Sequence, residues 1–297
     1  MKNKTFIKAI FMCVFVCLVL PLSAEEEKPT LELKKVSGDV YCLSGGGGNI
    51  GILNTGDGLL LVDAQMEATA KDALEKIAAI SSKPVKILIN THYHDDHTGA
   101  NEILGKNATI IMHPNCKKAL MEGQKKGEEK RYSYLDNVKP WTKDMTLTFD
   151  NETVHLLHFG RGHTSGDVVV VFEKAKTVHT GDLFFNKMPP YIDVENGSDT
   201  KNWIDTIETL CKKYHDYTFI PGHGNVTTSK EYLQFADYLK YLRKEVAAAI
   251  NAGKSREQAM KTINADQFKE IKANEYKKFL TIENNIGWVY DEMTGEK

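Results

Sequence analysis

Cysteine is scarce in this chain of 297 residues, and its few cysteines are widely spaced. Cys13 and Cys17 lie in an apolar N-terminal segment, which leaves Cys42, Cys116 and Cys211 for the rest of the chain. An odd number of cysteines at such distances excludes a disulfide framework. The spacing is compatible with a single disulfide or with three buried thiols.

Strong charge of one sign is also missing. The chain has 38 basic and 40 acidic residues, and no segment concentrates the basic ones. Proteins that bind nucleic acid carry a basic patch or stripe, so we expect no nucleic-acid partner. Long apolar runs are absent after the first two dozen residues, so we expect no membrane association once that segment is removed.

The N-terminal segment has the pattern of an export signal. Lys2, Lys4 and Lys8 precede an apolar run over residues 9–20, and small residues follow up to Ala24. These are the basic, apolar and cleavage regions of a secretory signal peptide, predicted over residues 1–24. We therefore expect a periplasmic or secreted protein, with an uncleaved membrane anchor as the alternative.

The rest of the chain alternates between strand and helix patterns. Strand-like runs at 59–62 and 85–89 enclose apolar residues at helical spacing over 70–77. A second strand-rich block over 146–179 is again followed by a helix. This repeat predicts an α/β fold in which two sheets pack face to face, with helices outside each sheet.

The composition changes to helix formers after residue 228. Ser255 and Gln258 have the spacing of a capping box, which marks the start of a helix. We predict a main domain over residues 25–228 and a C-terminal extension of about three helices over residues 229–297.

Histidine and aspartate residues occur in four segments that each precede or follow a predicted strand. Imidazole and carboxylate groups are the ligands that zinc prefers, and they also suit iron and manganese. Loops at one edge of a sheet commonly assemble such a site. The candidate ligands are His92, His94, Asp96, His97, His163, Asp182 and His223.

The number of candidates indicates two adjacent metal ions. His92 and His94 leave the same face of an extended chain and can reach one ion. Asp96 and His97 follow once the chain has turned, so they can reach a second ion. Two closely spaced metals can share a hydroxide and hold a reacting carbonyl or phosphoryl group, which predicts a hydrolase.

The ligand segments together resemble the metallo-β-lactamase superfamily. The resemblance covers residues 31–228 and rests on Thr91-His-Tyr-His-Asp-Asp-His97, Gly162-His163-Thr164, Gly181-Asp182 and Pro221-Gly-His223-Gly224. It implies a four-layer αββα sandwich with a C-terminal helical appendage, and two Zn²⁺ per chain at its edge.

Specific roles follow from the same resemblance. His92, His94 and His163 would hold the first metal, and Asp182 would bridge the two ions. Asp96, His97 and His223 would hold the second metal. Asp63 matches a family position that supports the ligand loop, although a helix N-cap is an equal alternative.

The resemblance also implies a mechanism. A metal-bound hydroxide would attack the carbonyl of a small ester, thioester, lactone or lactam, and Asp96 would be catalytic by orienting this nucleophile. True β-lactamases carry Cys at the position of Asp182 and Lys at that of Phe185. The bridging Asp and His97 are more similar to glyoxalase II and lactonases.

Other functions stay open at this point. One alternative is a true β-lactamase that hydrolyses β-lactam antibiotics with an unusual metal site. A second, of another class, is a non-catalytic zinc-dependent protein whose helical tail binds a partner. A redox site with two irons is a further alternative, but diiron relatives carry a carboxylate at the position of His94.

Overall fold

The computed structural model describes residues 30–125, 132–141, 144–272 and 278–295. The predicted signal peptide over residues 1–24 lies outside these ranges. No helix in the described ranges combines the length and apolar composition that a bilayer crossing requires.

The first sheet has seven strands that follow one another in chain order. Strands β1 to β4 pair antiparallel, and β4 to β7 pair parallel. The strands are β1 Glu32–Ser37, β2 Val40–Ser44, β3 Ile50–Asn54, β4 Leu59–Val62, β5 Val85–Ile89, β6 Thr109–Met112 and β7 Lys139–Pro140.

The second sheet has six strands in the order β13-β12-β11-β10-β9-β8. Only the pair β11 and β12 is parallel among its described neighbours. The strands are β8 Met145–Thr148, β9 Thr153–Leu157, β10 Val169–Phe172, β11 Thr177–His179, β12 Thr218–Ile220 and β13 Thr227–Thr228.

Helices cover the outer face of each sheet. The first five are α1 Ala70–Ala78, α2 Asp95–Thr98, α3 Asn101–Leu104, α4 Pro114–Lys125 and α5 Thr200–Lys213. The C-terminal region adds α6 Ser229–Asn251, α7 Arg256–Thr262 and α8 Ile282–Thr294. Ser255 and Gln258 form the predicted capping box at the start of α7.

Three apolar clusters hold the layers together. Alternate residues of both sheets, including Val62, Ile89, Val170 and Phe172, form the central cluster between them. A second cluster joins the first sheet to its helices, and a third joins the second sheet to α5–α8. The predicted four-layer αββα sandwich with additional C-terminal helices is therefore confirmed.

The outer cluster of the second sheet includes residues from both sides of position 228. Trp203 on α5, Tyr232 and Leu239 on α6, and Val289 on α8 are all fully buried in it. The helices of the extension thus complete a layer of the sandwich. The division into domains over 25–228 and 229–297 stays a prediction.

The structure decides between the two alternatives for cysteine. Cys42, Cys116 and Cys211 are all free and buried. Burial raises the pKa of the Cys42 and Cys211 thiols to about 12, and it also raises the pKa of Cys116.

Candidate metal centre

The candidate ligands lie at one edge of the sandwich, where strands from both sheets end. The chain leaves β5 at Ile89 and delivers the segment from His92 to His97. Asp182 follows β11, and His223 follows the neighbouring parallel strand β12. Because parallel neighbours end at the same edge, residues far apart in sequence meet there.

Four of the predicted ligands form a first group. The coordinating atoms of His92, His94, His163 and Asp182 lie within 4.8 Å of one another. His94 Nδ1 is 2.9 Å from His92 Nε2 and 3.0 Å from His163 Nε2. One nitrogen of each imidazole therefore faces a common point.

The opposite nitrogens of these imidazoles contact protein oxygens. His94 Nε2 lies 3.0 Å from a carboxylate oxygen of Asp193, and His163 Nδ1 lies 2.8 Å from the Tyr191 carbonyl. His92 Nδ1 is 3.0 Å from the Thr91 hydroxyl. Since a carbonyl or carboxylate only accepts, the outward nitrogens of His94 and His163 carry the hydrogen, which leaves the inward ones unprotonated.

The remaining three predicted ligands form a second group. Atoms of Asp96, His97 and His223 also lie within 4.8 Å of one another. The carboxylate of Asp96 is 3.2 Å from His223 Nε2 and 3.9 Å from His97 Nε2. His97 Nδ1 donates to Asp63 at 2.7 Å, so its Nε2 is the nitrogen that faces the group.

Asp182 lies between the two groups. Its Oδ2 is 3.5 Å from His163 Nε2 and 3.4 Å from His223 Nε2, while its Oδ1 is 3.0 Å from His97 Nε2. One buried carboxylate thus contacts imidazoles of both groups. This is the geometry that a bridging ligand needs.

Two buried polar atoms indicate that a cation belongs here. His97 Nε2 and Asp182 Oδ1 face each other at 3.0 Å, but the contact lacks hydrogen-bond geometry and neither atom has another hydrogen-bond partner within the described ranges. Leaving such atoms unsatisfied is costly in a protein interior. A set of imidazole nitrogens and carboxylate oxygens directed at two neighbouring points fits a pair of divalent cations such as Zn²⁺.

Burial and neighbouring charges shift the pKa values of the candidate ligands in different directions. Burial raises the pKa of Asp182, but the imidazoles of His97, His223 and His92 outweigh this effect and hold it well below its usual range. Burial lowers the pKa of His97, but Asp182, Asp63 and Asp96 together raise it well above its usual range. Burial instead lowers the pKa of His163 to about 3.

Asp63 holds the ligand loop in place. Its carboxylate accepts hydrogen bonds of 2.7 Å from the Thr91 backbone nitrogen, the Thr91 hydroxyl and His97 Nδ1. The residue itself is fully buried with a φ of 68°. Of its two alternative roles, support of the ligand loop is confirmed; the N-cap position of the short helix that follows is Met66, which makes no capping hydrogen bond with its side chain.

The glycine loop over residues 45–48 packs directly against the ligand loop. The Gly48 backbone nitrogen donates to the Asp96 carbonyl at 2.9 Å. A Cβ atom on Gly48 would lie 2.2 Å from Cε1 of the His97 ring. Only glycine allows this approach of the backbone to a candidate ligand.

Asp193 beside the site was not predicted from the sequence, whereas His179, three residues before Asp182, was a candidate for a supporting role. Asp193 accepts hydrogen bonds from His94 and from the Tyr93 hydroxyl, and it lies in a loop without strand or helix pattern. His179 donates to the Asn49 carbonyl at 3.1 Å and so connects the sheets next to Asp182. The loop that carries Asp193 has no motif that could have identified it.

The chain also matches known proteins in sequence. The sequence model of the metallo-beta-lactamase superfamily matches residues 43–223, which is more than half of the chain. A metallo-beta-lactamase type 2 from Bacillus cereus is 30% identical over 193 residues, covering 64% of this chain and 72% of the relative. A hydroxyacylglutathione hydrolase from Haemophilus influenzae is 28% identical over 152 residues, which cover 48% of this chain and 71% of the relative.

Solved structures share the fold. A metallo-beta-lactamase from Pontibacter korlensis has a TM-score of 0.61 at 21% identity, covering 71% of this chain and 99% of that one. A sec-alkylsulfatase from Pseudomonas sp. has a TM-score of 0.68 at 16% identity. The second match covers 90% of this chain and 51% of the alkylsulfatase, so it extends beyond residues 43–223.

Proposed function

Because this chain belongs to the metallo-beta-lactamase superfamily and is a hydrolase of that fold, we propose that it is a dinuclear zinc enzyme. Its substrates would be small molecules that carry an ester, thioester, lactone or lactam. The observation that carries this proposal is the position of Asp182 between two groups of candidate ligands. A site for one ion would need only one of these groups.

Each of the two groups of candidate ligands would hold one ion. His92, His94 and His163 would hold the first ion, while Asp96, His97 and His223 would hold the second. Asp182 would bridge them. When bound, such a pair lowers the pKa of water towards 7 and polarises the carbonyl that is attacked.

The protein's own groups would orient the reaction. Asp96 and His94 are the most exposed of the candidate ligand side chains, so substrate would approach from their side. The Asp96 carboxylate can accept a hydrogen bond from the attacking water and later hold its proton. No serine or cysteine nucleophile is required, and the described cysteine thiols are buried.

The substrate class is the open part of the proposal. The relatives include proteins named hydroxyacylglutathione hydrolase and metallo-beta-lactamase, so both thioesters and β-lactams need testing. The identity of 30% to the Bacillus cereus protein favours β-lactam hydrolysis as the second candidate. Phe185, which stacks on His223 at 5.1 Å, offers no positive charge for a β-lactam carboxylate.

A panel of substrates tests the proposed activity. The enzyme is freed of metal with a chelator and reloaded with zinc, iron or manganese, and each form is assayed on esters, thioesters, lactones and nitrocefin. We expect turnover of at least one carbonyl class that is lost without metal and restored by zinc. Metal binding without any turnover would instead support the non-catalytic binding protein.

We also propose that the protein is exported. The support is the pattern of residues 1–24 alone. Expression of the full chain followed by N-terminal sequencing of the periplasmic fraction tests this, and the mature protein should begin at Glu25. Full-length protein retained in the membrane fraction would contradict cleavage.

A further inference from the structure

One side of the candidate metal centre is open. The side chains of His94 and Asp96 are each 15% exposed, whereas the other five ligand side chains are at most 6% exposed. A substrate must therefore reach the site past His94 and Asp96. The residues beside these two will contact the rest of the substrate.

A row of aromatic side chains leads from His94 to the surface. The Tyr191 ring lies 5.4 Å from the His94 ring, measured between centroids. Trp288 and Phe279 contact the same tyrosine at 5.1 Å and 6.0 Å, both nearly edge to face. Trp288 lies on α8 and Phe279 just before it, so the C-terminal extension supplies the outer part of this row.

Phe279 stands out by its exposure. It is 51% exposed, more than any other large apolar side chain in the described ranges. A single exposed apolar residue is common, but contiguous exposed apolar surface often marks a ligand-binding site, and Phe279 contacts the half-buried Tyr191. Its position next to Tyr191 makes this surface continuous with the open side of the metal centre.

A further exposed apolar side chain lies near Asp96. Met66 is 38% exposed. Gly47 lies between Met66 and Asp96, since a Cβ on it would be 3.1 Å from Met66 Cγ and 3.0 Å from Asp96 Cβ. Apolar side chains therefore lie beside both of the partly exposed candidate ligands, His94 and Asp96.

We propose that the row of Phe279, Tyr191 and Trp288 binds an apolar acyl or aryl group of the substrate. This inference rests on the hydrolase function proposed above and narrows its substrate class. It selects carbonyl compounds with a medium-length aliphatic or an aromatic acyl group. Acetyl-sized substrates would leave the aromatic row unused.

Binding of the acid product tests the inference without turnover. Trp288 is a reporter because the other two tryptophans, Trp141 and Trp203, are almost fully buried. Octanoate added to the metal-loaded protein should change the tryptophan fluorescence and bind at least about tenfold more tightly than acetate. Trp288→Phe should remove the signal.

Variants of Phe279 localise the effect. Phe279→Ala should weaken octanoate binding about fivefold, and Phe279→Leu, which keeps apolar surface, should restore most of it. Leu74→Ala on α1, where the side chain is 39% exposed, is the matched control and should change nothing. Equal binding of octanoate and acetate, or unchanged octanoate affinity in Phe279→Ala, would overturn the inference.

Kinetics separate this inference from the function on which it rests. With a series of esters, Phe279→Ala should raise KM for octanoyl substrates with little change in kcat, and acetyl substrates should be unaffected. If no substrate is turned over but octanoate still binds through Phe279, the proposed function fails while the apolar subsite stands. A shift in oligomeric state with unchanged ligand binding would assign Phe279 to a protein interface and overturn the subsite.

Discussion

Replacing Asp193 should weaken the first metal site and leave the second one intact. The carboxylate is buried and accepts a hydrogen bond of 3.0 Å from His94 Nε2, together with one from the Tyr93 hydroxyl. Burial raises the pKa of Asp193, but the hydrogen bonds from His94 and Tyr93 outweigh it and bring the pKa to about 2. The group is therefore an anion at neutral pH that fixes the orientation of a candidate ligand.

The size of the effect follows from this contact. Loss of a partner that orients a metal ligand typically costs about 10- to 100-fold in metal affinity. We expect the metal affinity of the first site to fall about tenfold in Asp193→Asn, which keeps an acceptor oxygen, and about 100-fold in Asp193→Ala.

Competition with a chromophoric chelator measures the two affinities separately. Glu195→Gln is the matched control, since it removes one negative charge from an exposed position two residues away. Only the affinity of the site that contains His94 should fall. Wild-type affinity at both sites in Asp193→Ala would refute the argument.

Three further predictions concern stability and reactivity. Gly48→Ala should destabilise the fold by about 1–3 kcal/mol in denaturant unfolding, because its Cβ would overlap the His97 ring; Gly123→Ala on α4, where no described atom lies within 4 Å of the added Cβ, is the control and should not destabilise the fold. Burial and the stacked ring of His158 lower the pKa of His113 from 6.5 to about 4, so the unfolded chain binds more protons between these values. The free energy of unfolding should therefore fall as the pH drops from 6.5 to 4, and His113→Asn should flatten that slope. Cys42, Cys116 and Cys211 should react with a thiol reagent only after unfolding, and rapid labelling of any of these three in the native protein would contradict their burial.

The layered architecture could be predicted from the sequence because its signals are local. The run over 85–89 and the periodic residues over 70–77 give the same elements in the structure, within one residue at their ends. The repeated change from strands to helices then leaves few ways to bury both sheets. The family resemblance added the order in which these elements assemble.

The set of candidate ligands could be predicted from the sequence for a different reason. A single histidine at a strand end is more often a loop or capping residue than a ligand, but four such segments in one chain already indicate a metal site. The residues that hold these ligands in place were harder to predict from the sequence. Asp63 has two plausible roles in the sequence, and only its contacts with Thr91 and His97 decide between them.

The remaining parts depend on contacts between distant segments. Asp193 lies about a hundred positions from His94, and Phe279 lies still further from it in the chain. No periodicity or motif links such residues. The glycine loop shows the same limit, because the approach of Gly48 to His97 depends on how two loops pack.

The number of zinc ions bound per chain is the most direct test of the central claim. Metal-free protein is titrated with Zn²⁺ by calorimetry, and the dialysed complex is then analysed for its metal content. The arrangement of the two groups around Asp182 predicts two ions per chain. Binding of a single ion, or of none, by the correctly folded wild-type protein would contradict it.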